Sequence, residues 1–243
     1  MSAIDNIKTV LANSANYGGT READAIEYLV YHYTGNDGDS DTNNAAYYAR
    51  EVIKASAHYF VDDDSITRSV PDLCIAWAIG GGKYKSCAET GGGKLYGKAR
   101  NYNSISIEMC DTRRDGTYNV TEATLQNAID LGRMLMDRYN IPVENVIRHF
   151  DVTGKLCPAY FVDNAKWDAF KARLVSKEDE MKRYQNIEEI KKDAPWAVAT
   201  LHKLMECNAL NGNGDGLDLS LDMIRVMVIN DRMGLYEKAV KKK

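Results

Sequence analysis

Long apolar runs are missing from this chain: nowhere in its 243 residues do ~18 apolar side chains stand together, so no segment reads as a membrane-crossing helix. The opening residues, MSAIDNIKTVLANSANYGGTR, also lack the basic start and apolar stretch of an export signal. The expectation is synthesis as a soluble cytoplasmic protein without a signal peptide. Positive charge is not in excess either. Lys plus Arg number 31 against 35 Asp plus Glu, a net charge of −4, so no long-range positive field draws in nucleic acid or an anionic membrane. Neither nucleic-acid binding nor membrane insertion is expected. Lys241, Lys242 and Lys243, at the end of the sequence, read as a solvated tail. Cysteine is scarce and odd in number: Cys74, Cys87, Cys110, Cys157 and Cys207. Without an export signal a disulfide framework is disfavoured, and most of these thiols are expected to fill buried space. There is no internal repeat or low-complexity tract.

What is present is enough apolar material, 44% of the residues, for one mid-sized domain and a small appendage. From about residue 26 to 175 strand-like and helix-like stretches alternate, which implies an α/β domain with a mixed sheet flanked by helices. IEYLVYHYT (26–34) is β-branched and aromatic, and the GNDGDSDTNN that follows is turn chemistry, placing His32 near a strand end. AHYFVDD (57–63) reads as a second strand. SISIEMC (104–110) reads as a third, with Ile105, Ile107 and Met109 on one face and Ser106 and Glu108 on the other. Thr121 is the expected N-cap of a helix carrying Leu125, Ala128, Ile129, Gly132, Met136 and Tyr139 at helical spacing, stopped by Asn140-Ile141-Pro142. ENVIRHFDV (144–152) returns to the sheet or its edge, and a closing helix starts at Trp167. The first domain is expected to span 1–175. A charged linker over 176–194 and a small helical module over 195–243 follow, with Ser220 capping the last helix.

Three residues in this pattern suggest metal chemistry. His32 alone is an ordinary strand histidine. His149 is followed eight positions later by Cys157 across a glycine-containing loop, and imidazole and thiolate are the donors zinc prefers. Two histidines and one cysteine would leave a tetrahedral zinc one open position, as hydrolysis requires, whereas structural sites use four protein ligands.

The segments VYHYT (30–34), SAHYFVDD (56–63), NYNSISIEMC (101–110) and IPVENVIRHFDVTGKLCP (141–158) together resemble the type-2 N-acetylmuramoyl-L-alanine amidases, which include phage endolysins and the peptidoglycan-recognition fold. The match runs in order from about Ile26 to Leu174. The resemblance implies zinc held by His32, His149 and Cys157, with Lys155 stabilising the oxyanion and Glu108 handling protons of the metal-activated water. Peptidoglycan is the implied partner. The implied reaction cuts the amide between the N-acetylmuramoyl lactyl group and L-alanine, the protein reaching the wall after release from the cytoplasm. His58 would be a wall or structural residue rather than a ligand. Trp77 is either a groove residue or a buried one, and Ala78 stands where many family members carry histidine. Arg100 and Asn101 are candidates to meet peptide carboxylates.

Two other readings compete: a cytosolic amidase that trims recycled muropeptides, and a recognition protein that binds peptidoglycan without cutting it. Relatives of the latter kind generally lack the cysteine ligand, which Cys157 supplies here. The C-terminal module is expected to bind the wall or to form homo-oligomers. Within it Asn211, Asn213, Asp215, Gly216 and Asp222 imitate an EF-hand calcium loop incompletely, with Asn first, Asp last and Asp218 at a hydrophobic position. A glycine-rich turn is the preferred reading there.

Overall fold

The computed structural model describes residues 3–175, 183–214 and 216–236, and of Asp222 the backbone alone. The chain forms two compact units, Met1–Val175 and Ser176–Lys243.

In the first unit the strands are β1 (Lys8–Thr9), β2 (Tyr17–Thr20), β3 (Tyr28–Tyr33), β4 (Tyr59–Val61), β5 (Ile66–Arg68), β6 (Cys74–Ala76), β7 (Ser104–Met109) and β8 (Val146–Arg148). Six of them make one sheet in the order β1-β5-β4-β7-β3-β8, while β2 and β6 pair separately. Within the large sheet β4 and β5 are antiparallel and the other pairings parallel, so the sheet is mixed. Both faces of its centre are covered, as parallel pairing through crossover helices requires. Ile105, Ile107 and Met109 of β7 face one core with Leu29 and Tyr31 of β3. Val30 and Ile147 face another on the opposite side.

The helices of this unit are α1 (Asp41–Arg50), α2 (Cys87–Thr90), α3 (Glu122–Tyr139), α4 (His149–Thr153) and α5 (Asn164–Val175). The hydroxyl of Thr121 accepts from Thr124 N, and the helix it opens ends on Asn140 in the left-handed region (φ 52°). Ala128, Ile129, Leu131 and Leu135 of α3 are wholly buried against the sheet. Trp167 and Phe170 of α5 pack around Tyr31, whose ring lies 5.0 Å from that of Phe170.

Gly132 allows α3 to approach this closely. A Cβ there would run into Tyr31 Oη and Leu174, and Tyr31 cannot step aside because it is fully buried and donates to Ala128 O at 2.9 Å. Gly132→Ala is therefore expected to destabilise the unit by about 1–3 kcal/mol through overpacking, despite alanine's better helix propensity. Denaturant unfolding checks this. An unchanged or raised midpoint would mean that helix and strand separate freely.

The structure departs from the sequence reading in several places. The polar run 35–44, read as turn, begins a helix within itself: Ser40 Oγ accepts from Asn43 N and caps α1. Serine, aspartate and asparagine serve turns and N-caps through the same side-chain acceptors, so composition does not separate the two. The closing helix begins at Asn164, three residues before Trp167. The short strands β1, β2, β5 and β6 carry little periodicity and went unforeseen.

The second unit contains α6 (Ile187–Asp193), α7 (Val198–Glu206) and α8 (Leu221–Arg232). Its core joins Tyr184, Ile190, Ala194, Leu201, Leu219 and Ile224. The expected linker 176–194 is thereby corrected: Tyr184, Ile190 and Ala194 are buried in this core, and Tyr184 bridges Leu219 through paired backbone hydrogen bonds. Glu188, Glu189, Lys191, Lys192 and Asp193 of that stretch belong to α6, which Asn186 caps while Ile190 turns into the core. Residues 176–182 lie outside the described residues. Ser220 caps α8 by accepting from Met223 N. The calcium question falls partly outside the described residues, since Asp215 and the side chain of Asp222 do. The five thiols are free. Among the described residues no helix is long and apolar enough to cross a membrane.

Candidate active site

Three neighbouring strands position the chemistry. His32 is the penultimate residue of β3, and because side chains alternate it points away from the core that takes Tyr31. Glu108 is its register partner on β7, so the two share a face, with Glu108 Oε1 3.8 Å from His32 Nδ1. On the other side of β3, β8 ends at Arg148 and His149 opens α4, which sets the two imidazole rings 4.9 Å apart at 64°.

The helix α4 is short because the chain must come back. Gly154 closes it at φ 85°, a left-handed conformation that favours glycine, and a Cβ there would meet Cys87 Sγ. The return is held by Phe150 N donating to Cys157 O at 3.0 Å, which brings Cys157 Sγ to 3.7 Å from His32 Nδ1. Arg148 fixes the start of the helix. Its guanidinium donates to Asp151 Oδ1 at 2.7 Å and to Phe161 O at 2.6 Å, while Asp151 Oδ2 accepts from Arg148 N at 2.8 Å. Sequence reasoning missed this pair, although Arg and Asp three apart on either side of His149 was its signal.

The donor atoms of His32, His149 and Cys157 all lie within 4.8 Å of one another, and all three residues are buried. His32 Nε2 and His149 Nδ1 have no hydrogen-bond partner among the described residues. Buried polar atoms are rarely left so. Burial holds His32 well below the usual imidazole range, aided by His149 and Lys155, and holds His149 down to about 4. Both rings are therefore neutral and able to donate a lone pair. Burial also pushes the Cys157 thiol up to about 12, with the charge of Glu108 acting in the same direction. A dication among these groups would reverse that, since a coordinated thiol ionises outright. Two neutral imidazoles and one soft sulfur, convergent and otherwise unsatisfied, fit a tetrahedral metal with one position left for other ligands.

Beside this triad lies a cavity of about 630 Å³ whose lining includes Thr34, Asp39, Asn44, Tyr48, Glu108 and Lys155. Burial pushes Glu108 up to about 8, opposed by Lys155 and reinforced by Asp39. Its Oε2 is buried and has no hydrogen-bond partner among the described residues. The structure thus brings together all five expected site residues: three donors, an adjacent carboxyl and an exposed lysine at the cavity wall. The sequence profile of the N-acetylmuramoyl-L-alanine amidase family matches residues 22–160, more than half of the chain.

The chain belongs to this amidase family. It is 31% identical over 159 residues to the N-acetylmuramoyl-L-alanine amidase CwlL of Bacillus licheniformis, covering 62% of this chain and 41% of that protein. It is 30% identical over 159 residues to BlyA of Bacillus subtilis strain 168, covering 63% of this chain and 42% of that one. This chain thus spans about two fifths of the length of the curated relatives it matches. Among solved structures, PlyL superposes with a TM-score of 0.56 at 28% identity, over 70% of this chain and 98% of that one. The catalytic domain of XlyA gives 0.54 at 28% identity, over 70% and 99%. The mixed sheet flanked by helices is the fold of these amidase catalytic domains.

Within the amidase fold the remaining expected residues take structural places. His58 is not part of the group formed by His32, His149 and Cys157. Its Nδ1 accepts from Ser106 N at 3.0 Å and its Nε2 lies 3.1 Å from Cys74 O, so the ring is the neutral tautomer that donates from Nε2. Burial, followed by the nearby Arg21, holds it down to about 4. Asn101 Oδ1 accepts from Ala78 N and Ile79 N, and Arg100 Nε donates to Gly97 O. Both therefore hold loops rather than facing the triad. Trp77 is half-buried, its backbone N bonded to Ser56 Oγ, and does not line the cavity of Glu108.

Proposed function

We propose that this chain is a zinc-dependent amidase that cleaves the bond between the N-acetylmuramoyl lactyl group and L-alanine in peptidoglycan. The observation that carries this reading is the convergence of His32, His149 and Cys157 beside a cavity walled by Glu108 and Lys155. Membership of the amidase family supplies the bond. His32, His149 and Cys157 would hold zinc, which when bound would supply Lewis acidity toward an amide carbonyl and a lowered pKa for water.

The protein's own groups do the rest. Glu108, with Oε2 free and buried, takes the proton from the attacking water and passes it to the departing amine of alanine. The Lys155 ammonium faces the charge that builds on the carbonyl oxygen. Burial of the three donors keeps bulk water from competing for the site. The first unit carries this reaction. The second serves wall binding or self-association, either of which raises effective concentration at an insoluble polymer. The protein would act on the wall after release from the cytoplasm.

Digesting purified sacculi with and without a chelator, with mass spectrometry of the soluble products, tests the reading. Peptides beginning with free alanine should appear only with metal, and zinc should restore their release. Products cut within the glycan or within the peptide would sink the bond assignment. Binding without any release would make the protein a recognition module, and release from soluble muropeptides alone would make it a recycling enzyme.

A further inference from the structure

The cavity beside the triad holds a second carboxylate that the reaction does not use. Asp39 sits in the loop between β3 and α1, and one of its oxygens is fully engaged: Oδ2 accepts from Asn44 Nδ2 at 2.6 Å and from Asn36 Nδ2 at 3.1 Å. Its backbone N donates to Asp111 O at 2.8 Å. Two side-chain donors thereby hold the carboxylate, and the third bond holds the backbone beneath it. Its other oxygen, Oδ1, is buried and has no hydrogen-bond partner among the described residues. Thr34 belongs to the lining of the same cavity, and its Oγ1 is likewise buried with no hydrogen-bond partner among the described residues. Leaving such atoms unmet is costly, and Asp39, a residue of the cavity lining held in place with one acceptor unmet, is prepared for a donor on a ligand.

Resting on the amidase reading, we propose that Asp39 is a specificity residue whose Oδ1 accepts a hydrogen bond from an amino group carried by the stem peptide. A cationic amine suits this place better than a neutral N–H, because charge-assisted hydrogen bonds to a carboxylate are roughly twice as strong. Asn36 and Asn44 act as positioning residues: both spend a side-chain N–H on Oδ2, which leaves Oδ1 as the acceptor that remains. The amine contact of Asp39 is separate from bond breaking at the triad and Glu108, so it is read in the ratio of rates on two walls and not in the rate on one.

The test compares one batch of sacculi with free stem-peptide amines against the same batch after N-acetylation, using the zinc-loaded full chain and initial rates at sub-saturating substrate. The wild type is expected to release peptide about tenfold faster from the untreated wall. In Asp39→Asn, which keeps an acceptor for the two asparagines but turns a donor toward the ligand, that ratio should collapse to about one. A merely structural role would lower both rates and preserve the ratio. Asp39→Ser serves as the second variant if the first does not fold. Equal wild-type rates on the two walls, or a variant that keeps the wild-type ratio, overturns the assignment while the amidase reading stands. Release from neither wall overturns the amidase reading and this one with it.

Discussion

Cys157→Ser is expected to lose bound zinc and to lower peptide release from sacculi by at least about a hundredfold, with the fold intact. The physical reason is the donor and not the shape. Sulfur is the one soft ligand of the three, and a serine hydroxyl neither matches its affinity for zinc nor ionises readily in a buried site. The burial that already resists ionisation of the thiol would resist ionisation of the hydroxyl more strongly. The backbone around position 157 does not depend on the side chain: its O accepts from Phe150 N and its N donates to Lys155 O. Metal content by elemental analysis, circular dichroism and turnover should be measured on the same preparation. A folded variant that retained one zinc per chain and normal turnover would remove Cys157 from the site.

Glu108→Gln should separate proton transfer from metal binding. General acid–base groups typically contribute about 10²–10⁴ in rate, so turnover should fall within that range while zinc content and affinity for sacculi stay near wild type. Glutamine preserves the volume and a hydrogen-bonding terminus beside His32, so the triad's packing is not the variable. What disappears is the capacity to accept and return a proton at Oε2, which has no other partner. A Glu108→Gln protein with full activity would mean that the proton is handled by another group of the cavity. Loss of zinc together with activity would instead assign Glu108 to holding His32 in place.

Much of this architecture was legible locally. The alternation in Ser104–Met109 set which residues of β7 face the core, and the Thr121 cap and Asn140 stop bounded α3 from neighbours a few residues away. The site's membership was legible only through resemblance. Composition treats His32 and His58 alike, as histidines in aromatic strands. The difference is that His58 has both ring nitrogens engaged by backbone groups, whereas His32 faces another imidazole and a thiol. Asp39 was hidden for a similar reason. It stands in a run of turn-like polar residues, and nothing in that run says which of its oxygens will be tied to Asn36 and Asn44 and which left free.

By itself, then, the sequence determined the elements whose causes are short-ranged: the alternating strands and the capped helices. Only the tertiary structure decided that β7 and β8 flank β3, and that order is what sets Glu108 on one side of His32 and His149 on the other. Strand order depends on how crossover helices bury both faces of a parallel sheet, a property of the assembled core and not of any one segment. The same holds for the turn at Gly154, which is a glycine like any other until the fold requires it to bring Cys157 back to the two histidines.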